Sequence, residues 1–189
     1  MNGKTITSTD TKTNANYEMF YIFGELIVTG NGKIEISSTT DRDWNNMSTI
    51  FHNRGGKLKI ENGTFINSGG TDMAYVIDNS TNSYGDAETT INDGYFKSSY
   101  ITIRNRLDKN VNGPYKGIVN INGGTLESTS VTVWNQISSS GNCYGEVNIT
   151  DGTFIAPSGK ANILSGTPGE NDVIIVNITG GNFTNRGIY

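Results

Sequence analysis

The hexapeptide ITDGTF at 149–154 is one of five copies of a single pattern, Ile-x-x-Gly-x-Phe/Leu. The others are IENGTF (60–65), INDGYF (91–96), INGGTL (121–126) and ITGGNF (178–183). Their closing residues, Phe65, Phe96, Leu126, Phe154 and Phe183, stand 31, 30, 28 and 29 positions apart. A degenerate sixth copy, VTGNGKI (28–34), puts Ile34 another 31 residues before Phe65. So regular a period marks a stacked repeat in which each copy is one supersecondary unit.

Working outward, each copy is preceded by a short alternating run: KLKI, TTI, IVNI, EVNI or IIVNI. Leu58, Thr89, Val119, Val147 and Val176 fall two residues before the motif Ile and share its face. The residues between them, Lys59, Thr90, Asn120, Asn148 and Asn177, are polar and are expected to face water. The Gly of the motif, often after Asn or Asp, supplies the left-handed backbone of a tight turn. After each motif comes a third run: STIFHN (48–53), YVIDN (75–79), ITIRN (101–105) and VTVWN (131–135). Its inward residues are Phe51, Ile77, Ile103 and Val133, each followed two places later by Asn53, Asn79, Asn105 or Asn135. In ANILS (161–165), Ser165 takes the Asn place. Loops of varied length then lead to the next copy.

Three strands per period, no helix, and like residues over like describe a parallel β-helix of about six coils of roughly 30 residues. No single coil buries its Ile and Phe alone; stacking makes continuous inward columns of them. The four Asn predict an internal amide ladder running from coil to coil. A β-sandwich or propeller also has strands at such spacing, but antiparallel hairpins give no reason for the same residue types to return in register.

Composition agrees. Of 189 residues, 34% are hydrophobic and 17% charged, with 24 Gly and only 3 Pro. That is too polar for a helical bundle and too weakly charged for a disordered chain. No apolar run approaches a membrane span, so no membrane insertion is expected. The net charge of −4 with no basic cluster argues against a nucleic-acid partner. One Cys, Cys143, excludes an internal disulfide, and a single His beside it leaves no zinc set, so no metal or cofactor is expected. The opening MNGKTITSTD has no apolar signal-peptide core. The chain reads as a single domain over 1–189, whole or a segment of a larger assembly.

The repeats and the opening NGKTIT (2–7) resemble those of right-handed parallel β-helices, the pectate-lyase-like fold, as found in phage fibres and tailspikes and in surface proteins of gut bacteria. The resemblance implies a right-handed all-β solenoid located on a virion or cell surface, assembled as a homo-oligomer (a trimer in phage fibres) or with other surface subunits. It implies no activity, because the fold carries lyases, hydrolases, adhesins and inert shafts alike.

Two sets of residues are candidate glycan contacts. One is the column preceding the Asn ladder, His52, Asp78, Arg104 and Trp134, expected on the outer face. Its bland reading is a solvated stripe with an Asp78–Arg104 surface ion pair. The other is Tyr84, Tyr115 and Tyr144, one in each of three loops, expected to form a row for stacking on sugar rings. Asp41 and Asp43, beside Trp44, are an acid pair whose spacing fixes no geometry; Asp93 and Asp151 precede turn glycines and read as structural. Thr102 and Thr132 align as an ice-binding face would require, but Ile50 and Val76 interrupt them. No convergent acid cluster emerges. The expectation is a non-catalytic structural and binding module of a phage virion (fibre, tailspike or head decoration) or a bacterial adhesin; the alternative is a polysaccharide lyase or glycoside hydrolase of the same fold.

Overall fold

The computed structural model describes all residues except 11–15, 39–46, 71, 82–83, 109–113, 140 and 189. The chain winds as a right-handed parallel β-solenoid of six three-stranded turns and two strands of a seventh. Right-handed crossover is what the twist of the strands favours. The first sheet runs from Thr5–Asp10 to Asn182–Thr184, the second from Tyr17–Ile22 to Arg186–Ile188, and the third from Glu25–Val28 to Val173–Ile178. One turn consists of Thr64–Ser68, Ala74–Ser80 and Ala87–Ile91. Each strand pairs in parallel with its counterpart one turn away, as in Phe65 opposite Phe96.

The expected file is present. Ile34, Phe65, Phe96, Leu126, Phe154 and Phe183 are successive register partners. Phe65 and Phe96 stack with ring centroids 5.0 Å apart, and Phe154 and Phe183 at 4.6 Å. Ile60, Ile91, Ile121, Ile149 and Ile178 make a second file in the third sheet. Phe51, Ile77, Ile103, Val133 and Ile163 make a third. Burying these columns is the main apolar stabilisation of the fold.

The turns leave no room between coils. Gly94 has φ near +130°, and a Cβ there would lie 2.8 Å from the Gly63 carbonyl of the turn below. Asp93 and Asp151 accept from the amides of Gly94 and Gly152, each at 2.7 Å, so both are turn residues as expected.

The amide ladder also stands as expected. Asn53 Nδ2 donates to Asn79 Oδ1 at 2.8 Å, Asn79 to Asn105 at 2.8 Å, and Asn105 to Asn135 at 2.9 Å. Ser165 pairs with Asn135. The polar Thr89 in an otherwise apolar file is explained by its hydroxyl donating to Asn79 Oδ1 at 2.9 Å. Asn105 also donates to the Gly117 carbonyl at 2.9 Å. Asn105→Leu strands a donor of Asn79, the Asn135 oxygen and this carbonyl. A loss of about 2–4 kcal/mol in unfolding free energy is expected, read from urea melts.

Candidate functional site

The column that precedes the ladder is in register but does not face solvent. His52 pairs with Asp78, Asp78 with Arg104, and Arg104 with Trp134. Asp78 is fully buried, Arg104 and His52 nearly so, and Trp134 partly so. The cause is a break in alternation within the second-sheet strands, where the pairing register skips Ile50, Val76, Thr102 and Thr132. Consecutive residues, Ile50 with Phe51 and Val76 with Ile77, both enter the core. Tyr75, Ile101 and Val131 pack with Met47 and Met73 into a second apolar cluster, with Tyr100, Trp134 and Leu164 against it. Thr102 and Thr132, which follow Ile101 and Val131, are buried too and donate to the Glu127 and Asn162 carbonyls. They form no exposed threonine face.

Inside this cover lies a chain of ionisable side chains. His52 Nδ1 is 2.7 Å from Glu18 Oε1, and His52 Nε2 is 3.5 Å from Asp78 Oδ2. Arg104 donates to both Asp78 oxygens, Nε at 2.9 Å and Nη2 at 2.5 Å. Arg104 Nη1 donates to the Tyr75 hydroxyl at 3.2 Å, and its guanidinium lies 4.1 Å from the Tyr75 ring centre. Burial alone would raise the Asp78 carboxyl, but the Arg104 charge, with His52, holds it below its ordinary value. Burial would lower Arg104, but Asp78 raises it instead. Burial pushes the Tyr75 phenol well above the usual tyrosine range. A cleft of about 350 Å³, lined by Met47, Met73, Arg104, Arg106 and Gln136 among others, adjoins this group.

The tyrosines do not form one row. Tyr144 pairs with Lys116, not Tyr115, and its hydroxyl donates to Glu146 at 2.8 Å. Tyr84 belongs to a different group, at the corner between the second and third sheets. Its ring meets Phe23 edge-on at 5.2 Å, and Phe23 lies parallel to Tyr21 at 6.2 Å. The Arg54 guanidinium sits 4.8 Å from the Tyr84 ring centre and 5.8 Å from that of Tyr21. Tyr21, Phe23 and Tyr84 are 49%, 55% and 55% exposed. Tyr21, Phe23 and Arg54 were missed from sequence, although the period carries a signal: Tyr21 pairs with His52 and so extends the column before the ladder by one turn. Glu18 carries no such signal, because it is in register with Thr49 and reaches His52 sideways.

Burial, with Asp172 nearby, pushes the Cys143 thiol up to about 11, which leaves it an inert thiol. Asp41, Asp43 and Trp44 lie outside the described residues. Among the described residues, no group of three or more His, Cys, Asp or Glu is placed to hold a metal ion. Comparison with protein-family models, curated proteins and solved structures finds no match.

The Asp78–Arg104 pair is structural in its geometry, which sets two expectations. Arg104→Met leaves a buried carboxylate with only His52 beside it and should cost about 3–5 kcal/mol, whereas adding Asp78→Leu should restore much of this in urea unfolding. The depressed Asp78 carboxyl contributes stability at neutral pH. The unfolded state takes up the proton first, so this contribution falls as pH drops below the ordinary value of 3.8 toward the folded one. Melting temperatures between pH 5 and 2 should therefore fall more steeply in the native chain than in the double variant.

Proposed function

We propose that this solenoid is a non-catalytic structural and binding module of a virion (fibre, tailspike or head decoration) or of a bacterial cell surface, and that it contacts glycans at the corner between its second and third sheets. The observation that carries this reading is the group of three half-exposed rings, Tyr21, Phe23 and Tyr84, with Arg54 between two of them. Soluble chains seldom leave adjacent aromatic rings open to water without a use for them. Aromatic faces stack on the C–H faces of sugars, and a guanidinium donates to ring hydroxyls. A solenoid with such a corner suits display at a surface. Assembly into a homo-oligomer, or with other virion or surface subunits, belongs to the same reading. It is supported by Ile6 and Ile27, exposed beside an apolar hollow of about 240 Å³ at the first turn.

The test is a glycan array of bacterial capsular and cell-wall polysaccharides, followed by titration of the hits. Tyr84→Ala and Phe23→Ala should each weaken binding by about tenfold, about 1.4 kcal/mol, with little change in melting temperature. Unchanged binding in both variants, or no hit on the array, would refute the reading.

A second reading, a depolymerase, has one observation in its favour: an acid and a base, Asp78 and Arg104, meet beside the cleft. Against it, both are buried and spent on each other. Release of new reducing ends or unsaturated uronates from the array hits, abolished by Arg106→Ala, would replace the first reading with this one.

A further inference from the structure

The outer face of the third sheet bears a feature that neither the aromatic corner nor the buried charges use. Asn120, Asn148 and Asn177 are register partners on three successive turns, each between two inward residues. Asn177 Nδ2 donates to Asn148 Oδ1 at 2.8 Å, Asn148 to Asn120 at 2.9 Å, and Asn120 to Glu88 Oε1 at 3.5 Å. A second chain runs beside it. Thr150 Oγ1 donates to Asn122 Oδ1 at 3.2 Å, Asn122 to Asn92 at 3.0 Å, and Asn92 to Glu61 Oε2 at 2.6 Å. Both chains donate toward the first turn, and both end on a carboxylate. The Glu61 carboxyl is held below its ordinary value by its bonds to Lys59 and then Asn92. Over the two chains lies an open trough of about 410 Å³, lined by Thr90, Asn120, Asn122, Asn148, Thr150 and Asn177 among others, with no charged side chain in its lining.

We propose that this trough is a binding track for an extended, uncharged polysaccharide lying along the solenoid axis. This rests on the glycan-contact reading above and deepens it by naming a second surface and the class of chain it takes. Each carboxamide has two N–H donors and two acceptor lone pairs. Asn148 spends one donor on Asn120 and one acceptor site on Asn177, which leaves one of each for a ligand. The pattern repeats at the turn spacing of about 4.8 Å. A sugar hydroxyl both donates and accepts, so a polyhydroxylated chain meets a matching pair at every turn. An acidic chain gains nothing here: the lining offers no cation, and the lysines at the near end already have carboxylate neighbours, Lys59 bonded to Glu61 at 2.7 Å and Lys57 in register with Glu88. A peptide or nucleic acid would find neither an aromatic anchor nor an arginine. Each contact is weak, and the track gains affinity by repetition, so length is the property it selects.

The experiment uses the full chain and the hexasaccharides of cellulose, xylan, mannan and chitin, with their disaccharides and hexagalacturonate as comparisons. The readout is the side-chain NH₂ resonances in ¹⁵N-correlated NMR spectra. At least one neutral hexasaccharide should shift the resonances of Asn120, Asn148 and Asn177. Its disaccharide and hexagalacturonate should each bind at least about tenfold more weakly. Asn148→Leu should weaken the hexasaccharide by about tenfold, while Asn148→Thr, which keeps a hydroxyl as Thr90 does in the same column, stays within about threefold. Backbone resonances of the first two sheets report folding, and Asn122→Leu serves if Asn148→Leu misfolds. Backbone amide shifts confined to Tyr84 and Phe23, unaffected by Asn148→Leu, would overturn the track and leave the aromatic corner standing. Silence toward every hexasaccharide would overturn the track as well, the array then deciding the corner by itself. Inhibition of ice growth without any saccharide shift would overturn it in favour of an ordered-water surface.

Discussion

Parallel pairing of each turn with the next, at a spacing of about 4.8 Å, is the constraint from which the rest of this structure follows. It makes the nearest neighbour of every side chain its own counterpart one period away. An apolar residue is therefore buried by residues like itself, and Ile34, Phe65, Phe96, Leu126, Phe154 and Phe183 become one continuous file. A polar residue can enter the interior only with a bonding partner, and one that recurs on successive turns must bond to its own counterpart. Asparagine does so, having a donor and an acceptor on one planar group. That is why Asn53, Asn79, Asn105 and Asn135 sit in the core without stranded bonds. Glycine holds the turns because the next backbone occupies the place of a Cβ.

On the outside the same constraint works against repetition. Two like charges one turn apart repel, and cross-strand neighbours of opposite sign attract. The outer columns accordingly change character from turn to turn. Lys57 faces Glu88, and Lys97 pairs with Glu127 at 2.7 Å. The variety of the Tyr21, His52, Asp78, Arg104 and Trp134 column is of this kind. His52, Asp78 and Arg104 could not repeat and still be buried. They alternate instead into a chain of mutual partners beginning at Glu18. Variation in that column is thus a consequence of packing, and variety alone does not mark a contact stripe.

Two outer surfaces stay open, and they arise in different ways. The aromatic corner forms where Tyr84, in an irregular connection, reaches back to Phe23 and Arg54 of earlier turns. The trough on the third sheet arises in the opposite way, from the most regular face of the molecule. There the residues are neutral, repeat without repulsion, and keep half of their hydrogen-bonding capacity free. One surface offers a local, shape-dependent contact and the other a long, repetitive one, and both are compatible with a polymer of sugars.

The period, the inward files, the amide ladder and the turn glycines were legible in the sequence, because each depends only on residue type at a fixed repeat. Strand alternation likewise placed Lys59, Thr90, Asn120, Asn148 and Asn177 outside. Exposure of the second-sheet column was not legible. Alternation assigns His52, Asp78 and Arg104 to the outer face, but alternation breaks where two consecutive residues turn inward, and a second apolar cluster packs beside them. Nor could loop length say that Tyr84 joins Phe23 while Tyr115 and Tyr144 fall out of register. Sequence thus determined which side chains stack, since stacking is a matter of period; only the tertiary structure decided which outer residues still meet water, since that depends on where strand alternation breaks and where irregular connections return.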